Sequence, residues 1–159
     1  MGRIADRLAE LGLELPDPFA PPPGVEFPFE LVRTSGELAY VSGHLPVNGS
    51  EVLVTGRVGG DLDLEQGYEA ARLTALSVFA SLAQELGDLD RVTGWLKVLG
   101  LVQCAPGFDK PPAVINGFSD LLLEVWGPDG GRHARSAIGA GQLPFDVPVE
   151  VEAIVEISP

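Results

Sequence analysis

One arginine and two glutamates near the end of the chain have the types and spacing from which a site can be built. They lie within residues 132–157, RHARSAIGAGQLPFDVPVEVEAIVEI, which read as two strands joined by a loop at Gly141–Pro148. In the second strand Val147, Val149, Val151, Ala153, Val155 and Ile157 share one face, and Glu150, Glu152, Ile154 and Glu156 the other. In the first, His133, Arg135, Ala137 and Gly139 alternate with Ala134, Ser136, Ile138 and Ala140. An antiparallel hairpin centred on Leu143–Pro144 sets Arg135 opposite Glu152, with Glu150 diagonal to it on the same face. A guanidinium beside two carboxylates is the material of a site. It is equally the material of a solvent-facing hairpin with cross-strand ion pairs, and spacing alone favours that second description.

The elements that must position these charges follow from the rest of the chain. It has 159 residues, 45% of them hydrophobic, enough for one domain with a sizeable core. No window has the apolar length of a membrane span. The N-terminal stretch MGRIADRLAELGLELP carries acids within its apolar pattern and lacks a signal-peptide core, so a cytoplasmic location is expected. The single cysteine, Cys104, fits a reducing compartment and reads as a small buried hydrophobe at a strand end rather than a nucleophile. A net charge of −13 opposes binding to nucleic acid, whose phosphates require a basic stripe. The basic residues are scattered singly, apart from the short run from Arg132 to Arg135.

Residues 3–12 show a short amphipathic helix with Ile4, Leu8 and Leu11 on one face. Pro16, Pro18 and Pro21 to Pro23 then form an extended connector. Phe29 to Arg33 and Leu38 to Ser42 read as strands around a turn at Thr34–Glu37. The Ser42-Gly43 pair after them indicates either a bulge or a close backbone approach to a ligand. His44 has no partner at metal-ligand spacing, and no metal or other cofactor is expected. Asp63 with Gln66 has capping-box spacing for a helix that buries Ala71, Ala75, Phe79 and Leu82 and closes at Gly87. Val92 to Val102 reads as an inner strand buried on both faces. Pro111-Pro112 opens a second helix carrying Val114, Ile115, Phe118, Leu121 and Leu122, which ends near Gly127. Asn116 lies near its start. The order is helix, β, β, helix, β, helix, β, β. It implies an α+β fold in which two helices pack on one face of a mixed sheet, leaving Arg135, Glu150 and Glu152 on the other. No P-loop, dinucleotide fingerprint, serine elbow, zinc spacing or internal repeat is present.

Three segments in the right order resemble the Rid/YjgF family, the reactive-intermediate imine/enamine deaminases also known as L-PSP endoribonucleases or translation inhibitors. The C-terminal signature is His133-Ala134-Arg135-Ser136, then Leu143-Pro144, then Val149-Glu150-Val151-Glu152-Ala153. Ser42 to Val47 resembles the family's first-hairpin motif, and Val114-Ile115-Asn116 its second-helix motif. The wording INGFSDLLLEVWG…GRHARSAIG resembles a branch with a longer N-terminus. On this resemblance residues 29–159 form the Rid/YjgF-like domain, and residues 1–28 an N-terminal helix with a proline-rich connector.

The resemblance implies a chorismate-mutase-like fold and a homotrimer with sites between subunits. It implies hydrolysis of enamines and imines such as 2-aminoacrylate to 2-keto acids and ammonium, as a 2-iminobutanoate/2-iminopropanoate deaminase-like enzyme. Arg135 corresponds to the arginine that grips the substrate carboxylate, and Glu150 to the glutamate that orients water. Phe29, Ser42, Gly43 and Asn116 correspond to pocket-lining positions. Arg135 near Glu150 would keep that carboxylate ionised. Two positions depart from the family pattern. Phe29 stands where the best-studied deaminases have a tyrosine, and Ala137 where a cysteine is frequent. With the resemblance added, Arg135 is read as a site residue. Two other readings are non-catalytic binding of a small carboxylate metabolite and the endoribonuclease activity of the family's older name. The first would use Arg135 without turnover; the charge balance opposes the second.

Overall fold

The computed structural model describes residues 2–159. The chain begins with helix α1, Arg3–Glu10, whose Ile4 and Leu8 are buried in the main core. Its first turn is capped from a distance: the Asp90 carboxylate accepts from the amides of Arg3 and Ile4, each at 2.7 Å. A carboxylate at a helix N-terminus satisfies donors that have no partner within the helix.

Strands β1, Val32–Ser35, and β2, Leu38–His44, pair antiparallel around the turn at Gly36, which has φ of 59°. The first strand therefore starts at Val32, three residues later than the pattern from Phe29 indicates. Phe29 instead packs in an aromatic row, its ring 5.0 Å from Phe27, which lies 5.3 Å from Phe19. The short strands β3, Val47–Asn48, and β4, Glu51–Val52, make a separate hairpin.

Helix α2, Leu64–Leu86, starts at the expected capping box. The Asp63 side chain accepts from the Gln66 amide at 2.8 Å, and the Gln66 side chain accepts from the Asp63 amide at 2.9 Å. Gly87, at φ 78°, closes it in the left-handed conformation that glycine reaches without steric cost. Strand β5, Val92–Gln103, follows, then helix α3, Pro111–Gly131, which begins on two prolines and is interrupted at Gly127. Strands β6, Ala134–Ala140, and β7, Val149–Ile157, complete the chain.

The sheet order is β1-β2-β7-β5-β6. β5 pairs antiparallel with β7 and parallel with β6, and α3 supplies the crossover that a parallel pair requires. Helices α2 and α3 pack on one face, as expected for an α+β fold. That face carries Val149, Val151, Ala153, Val155 and Ile157 of β7, all buried. Beneath the helices an aromatic group closes the core: Trp126 lies 4.9 Å from Phe79 and 5.3 Å from Trp95, ring centre to ring centre.

Two expectations are corrected here. β5 is an inner strand, but it is not buried on both faces: Thr93, Leu96 and Lys97 are exposed. β6 and β7 do not form a hairpin. β5 lies between them, so the eight residues from Gly141 to Pro148 step across a neighbouring strand instead of turning back on it. Adjacent strands are about 4.8 Å apart, so a link of this length is long enough for the gap of about 10 Å, and it makes the step with Phe145 and Asp146 in left-handed backbone, at φ 57° and 59°.

Candidate functional site

The change of strand partner moves Arg135 to the other side of the sheet. Arg135 pairs with Val98, whose side chain is fully buried beneath the helices. Glu150 and Glu152 pair with Leu101 and Leu99, on the face that no helix covers. Arg135 therefore does not sit opposite Glu152, and the face shared with the two glutamates is corrected to the helix face. Glu150 is one strand beyond β5 from Arg135, and its row on β6 is that of Ile138. A rise of about 3.3 Å per residue and a strand spacing of about 4.8 Å put the two Cα atoms about 14 Å apart. Their side chains then diverge to opposite faces.

On the helix face, Arg135 reaches the start of α3. Its Nη1 donates to Asn116 Oδ1 at 2.9 Å and to Ser119 Oγ at 3.1 Å, and its Nη2 donates to the Pro112 carbonyl at 3.3 Å. Asn116 and Ser119 are three residues apart, so one face of the helix presents both to the guanidinium. Asn116 and Arg135, both candidates from sequence, are thus in direct contact. Ser119 Oγ is also 2.9 Å from His133 Nε2, and His133 Nδ1 is 2.8 Å from the Gly131 carbonyl. Sequence reading missed Ser119 and His133. The available signals were the helical spacing of Ser119 from Asn116 and the two-residue spacing of His133 from Arg135. Burial lowers the guanidinium pKa from its ordinary value and nearby Asp120 opposes that; no glutamate takes part. Ala137, on this same face, packs against the core.

On the open face, Glu150 is half-buried with its carboxylate against Gly43. A Cβ at Gly43 would meet Glu150 Oε2 and would lie 3.0 Å from its Cδ. Of the two alternatives read from Ser42-Gly43, a bulge or a close approach to a ligand, the structure has the bulge. The register shifts between Val41 and His44, so the pair is a bulge, and the close approach is to the chain's own glutamate. Burial first, then Glu152, raises the Glu150 pKa above the ordinary glutamate value. Arg135 does not contribute, which corrects the expectation that it holds Glu150 ionised. Among the described residues no donor is bonded to the Glu150 carboxylate, which leaves its oxygens available to water.

Ser42 is held by its neighbours: its hydroxyl donates to the Glu30 carbonyl at 2.6 Å. Its carbonyl accepts from His44 Nδ1 at 2.6 Å, and His44 Nε2 is 2.8 Å from Ser81 Oγ. His44 is fully buried, and desolvation lowers its pKa to about 4. A carbonyl only accepts, so the proton sits on Nδ1 and Nε2 takes the Ser81 hydroxyl. His44 is a neutral brace for the bulge. Beside Ser42 the open face hollows into a groove of about 890 Å³, walled by Phe29, Tyr40, Lys97, Ser136 and Glu152. The groove takes in Phe29 and Ser42 but not Gly43, Asn116, Arg135 or Glu150. The candidate residues thus form two sets: Arg135 and Asn116 under the helices, and Phe29, Ser42, Gly43 and Glu150 on the open face. Among the described residues no group of acids, histidines and cysteine is arranged to hold a metal ion. No helix there is long and apolar enough to cross a membrane.

A mixed five-stranded sheet with two helices on one face and a grooved, uncovered opposite face is the architecture of the chorismate-mutase-like class. The family model described as "YjgF/chorismate mutase-like, putative endoribonuclease" matches residues 5–156, and the chain belongs to this Rid/YjgF family. The match takes in most of α1 as well as the sheet. Protein TCP17 of Trypanosoma cruzi is 42% identical over 157 residues, 99% of this chain and 96% of its own. The solved structure of Atu1372 from Agrobacterium tumefaciens is 40% identical with a TM-score of 0.85, covering 98% of this chain and 92% of that one. A structure from Shewanella oneidensis MR-1 is 30% identical with a TM-score of 0.87, covering 97% and 99%.

Proposed function

We propose that the protein hydrolyses reactive enamines and imines of 2-amino acids to 2-keto acids and ammonium. One observation carries the reading: the Arg135 guanidinium is held by three hydrogen bonds and still has donors to spare. Of its five N–H groups, both on Nη1 and one on Nη2 are engaged, leaving Nε–H and one Nη2–H. A substrate α-carboxylate can take these two, and charge-assisted bonds of this kind contribute on the order of 1.5–3 kcal/mol each.

Glu150 is the partner in chemistry. Water attacks the iminium carbon, the resulting carbinolamine expels ammonia, and the sum is iminium plus water giving keto acid plus ammonium. A carboxylate whose pKa is raised by burial and by Glu152 is a better proton acceptor for that water than an ordinary glutamate. Gly43 gives the carboxylate room, and Ser42, Phe29 and Asn116 shape the pocket. The reacting carbon is already electrophilic, so positioning and water access carry much of the rate.

Arg135 and Glu150 of one chain point away from each other, so this site needs a second copy. The reading is that Arg135 and Asn116 of one subunit meet Glu150 and the groove of the next, closing into a homotrimer. The uncovered sheet face supports it: Tyr40 and Ile138 are exposed there, at 47% and 51%. Light scattering is expected to return about three times the 16.7 kDa chain mass, and a monomer at micromolar concentration removes the composite site.

The deciding assay couples an amino-acid oxidase, which generates imino acids, to the loss of imine with and without this protein. Acceleration that depends on Arg135 and Glu150 supports the enzyme. Carboxylate binding without acceleration supports a binding protein instead, a reading that Phe29 favours by removing a hydroxyl from the pocket. The RNA-cleaving reading has a charge of −13 against it, and weak RNA binding with no steep salt dependence is expected.

A further inference from the structure

The orientation of Arg135 is set by a chain of hydrogen bonds whose direction can be worked out atom by atom. The Gly131 carbonyl is an acceptor only, and His133 Nδ1 lies 2.8 Å from it, so in the neutral imidazole the proton is on Nδ1. Nε2 is then a lone pair, and the Ser119 hydroxyl 2.9 Å away must donate to it. That commits the single hydroxyl proton of Ser119. Its oxygen presents lone pairs to Arg135 Nη1 at 3.1 Å. The order is Arg135 Nη1–H to Ser119 Oγ, Ser119 O–H to His133 Nε2, and His133 Nδ1–H to the Gly131 carbonyl. The chain ends on the backbone where α3 gives way to β6, so helix, turn and strand hold one another.

We propose that Ser119 and His133 are positioning residues for the carboxylate anchor. They fix the Arg135 guanidinium so that Nε–H and one Nη2–H face the incoming substrate. The proposal rests on the reading of Arg135 as that anchor. Neither residue touches substrate. Their effect comes through the acceptor that occupies one Nη1–H, while Asn116 Oδ1 occupies the other. Without the imidazole lone pair the serine hydroxyl loses the acceptor that fixes its rotamer, so its oxygen is no longer held in one position toward Arg135 Nη1. The protonation of His133 reinforces the arrangement: burial first, and the charge of Arg135, hold its pKa below the usual histidine value. The neutral acceptor form therefore prevails at pH 7.

The test is a mutant cycle read as 2-keto acid affinity by calorimetry, with pyruvate as the probe and melting temperature alongside. Ser119→Ala is expected to weaken binding about three- to tenfold, less than the loss of a direct bond to the ligand because the effect is transmitted through Arg135, with little change in melting temperature. Ser119→Thr retains the hydroxyl and is expected to restore affinity to within about twofold. His133→Phe removes the acceptor and is expected to weaken binding only while Ser119 is present. In an Arg135→Lys background Ser119→Ala is expected to change affinity by less than about twofold, because the group it orients is gone. Equal losses from Ser119→Ala in both backgrounds overturn the positioning role, as does full affinity in Ser119→Ala when Arg135→Lys alone is weak. Full affinity in Arg135→Lys alone overturns the anchor reading beneath it, so the two failures are told apart.

Discussion

Replacing Arg135 by lysine keeps the charge and removes the fork, which makes it the sharpest perturbation of the proposed site. The guanidinium has five N–H donors, three of them held by Asn116, Ser119 and Pro112 and two available. An ammonium has three donors on one atom and cannot serve the α3 acceptors and a carboxylate with the same geometry. Losing one charge-assisted bond to the ligand, at about 1.5–3 kcal/mol, predicts a fall in keto-acid affinity of roughly ten- to a hundredfold. The fold of the chain is expected to persist, since the buried valines of β7 and the stripes of α2 and α3 are untouched. Calorimetry with a keto acid, alongside melting temperature, separates the outcomes for wild type, Arg135→Lys and Arg135→Ala. If both variants bind as wild type does and only the melting temperature of the alanine form falls, Arg135 is a strap between β6 and α3. The anchor reasoning then fails.

Glu150→Gln is expected to abolish most turnover while keto-acid binding survives, with Glu152→Gln milder; the reverse ranking in steady-state assays would move the base by two residues. Because the folded Glu150 pKa lies above its unfolded value, its ionisation opposes folding. The protonated form is the stabilising one, and that contribution is lost as pH rises through the raised pKa, so Glu150→Gln should melt slightly higher than wild type at pH 7. Gly43→Ala puts a methyl where the Glu150 carboxylate lies, and a loss of turnover exceeding the loss of keto-acid binding is expected in the same assays. His44 has the opposite sign, its folded pKa of about 4 lying below the unfolded 6.5. Its stabilisation is present above pH 6.5 and lost as pH falls toward 4, up to about 3 kcal/mol from a shift of this size. Urea unfolding at pH 7 and pH 4.5 should show a steeper acid loss in wild type than in His44→Gln, and parallel losses would refute the neutral brace.

How far the sequence reached can be seen residue by residue. The alternation of β7 told which of its residues are buried because period two is a property of the strand itself. The capping box at Asp63 and the break at Gly127 were legible for the same reason: cap chemistry and left-handed glycine are decided within a few residues. Ser42-Gly43 announced either a bulge or a close approach to a ligand; the structure has the bulge, and the group against Gly43 is the chain's own Glu150. The neighbour of β6 was not legible. Alternation groups Arg135 with Ala137 and Gly139, and the apolar contrast along this strand misleads: Ile138, its largest apolar residue, lies on the exposed face and Arg135 on the helix face. That choice came from β5 inserting between β6 and β7, a long-range pairing settled by the crossover of α3 and the burial of Val98, Val102 and Val151. The local sequence determined the charges and the elements that carry them. Tertiary pairing alone decided that Arg135 faces Asn116 and Ser119 while Glu150 faces the open groove side, because register and strand order are set by the whole core rather than by any one segment.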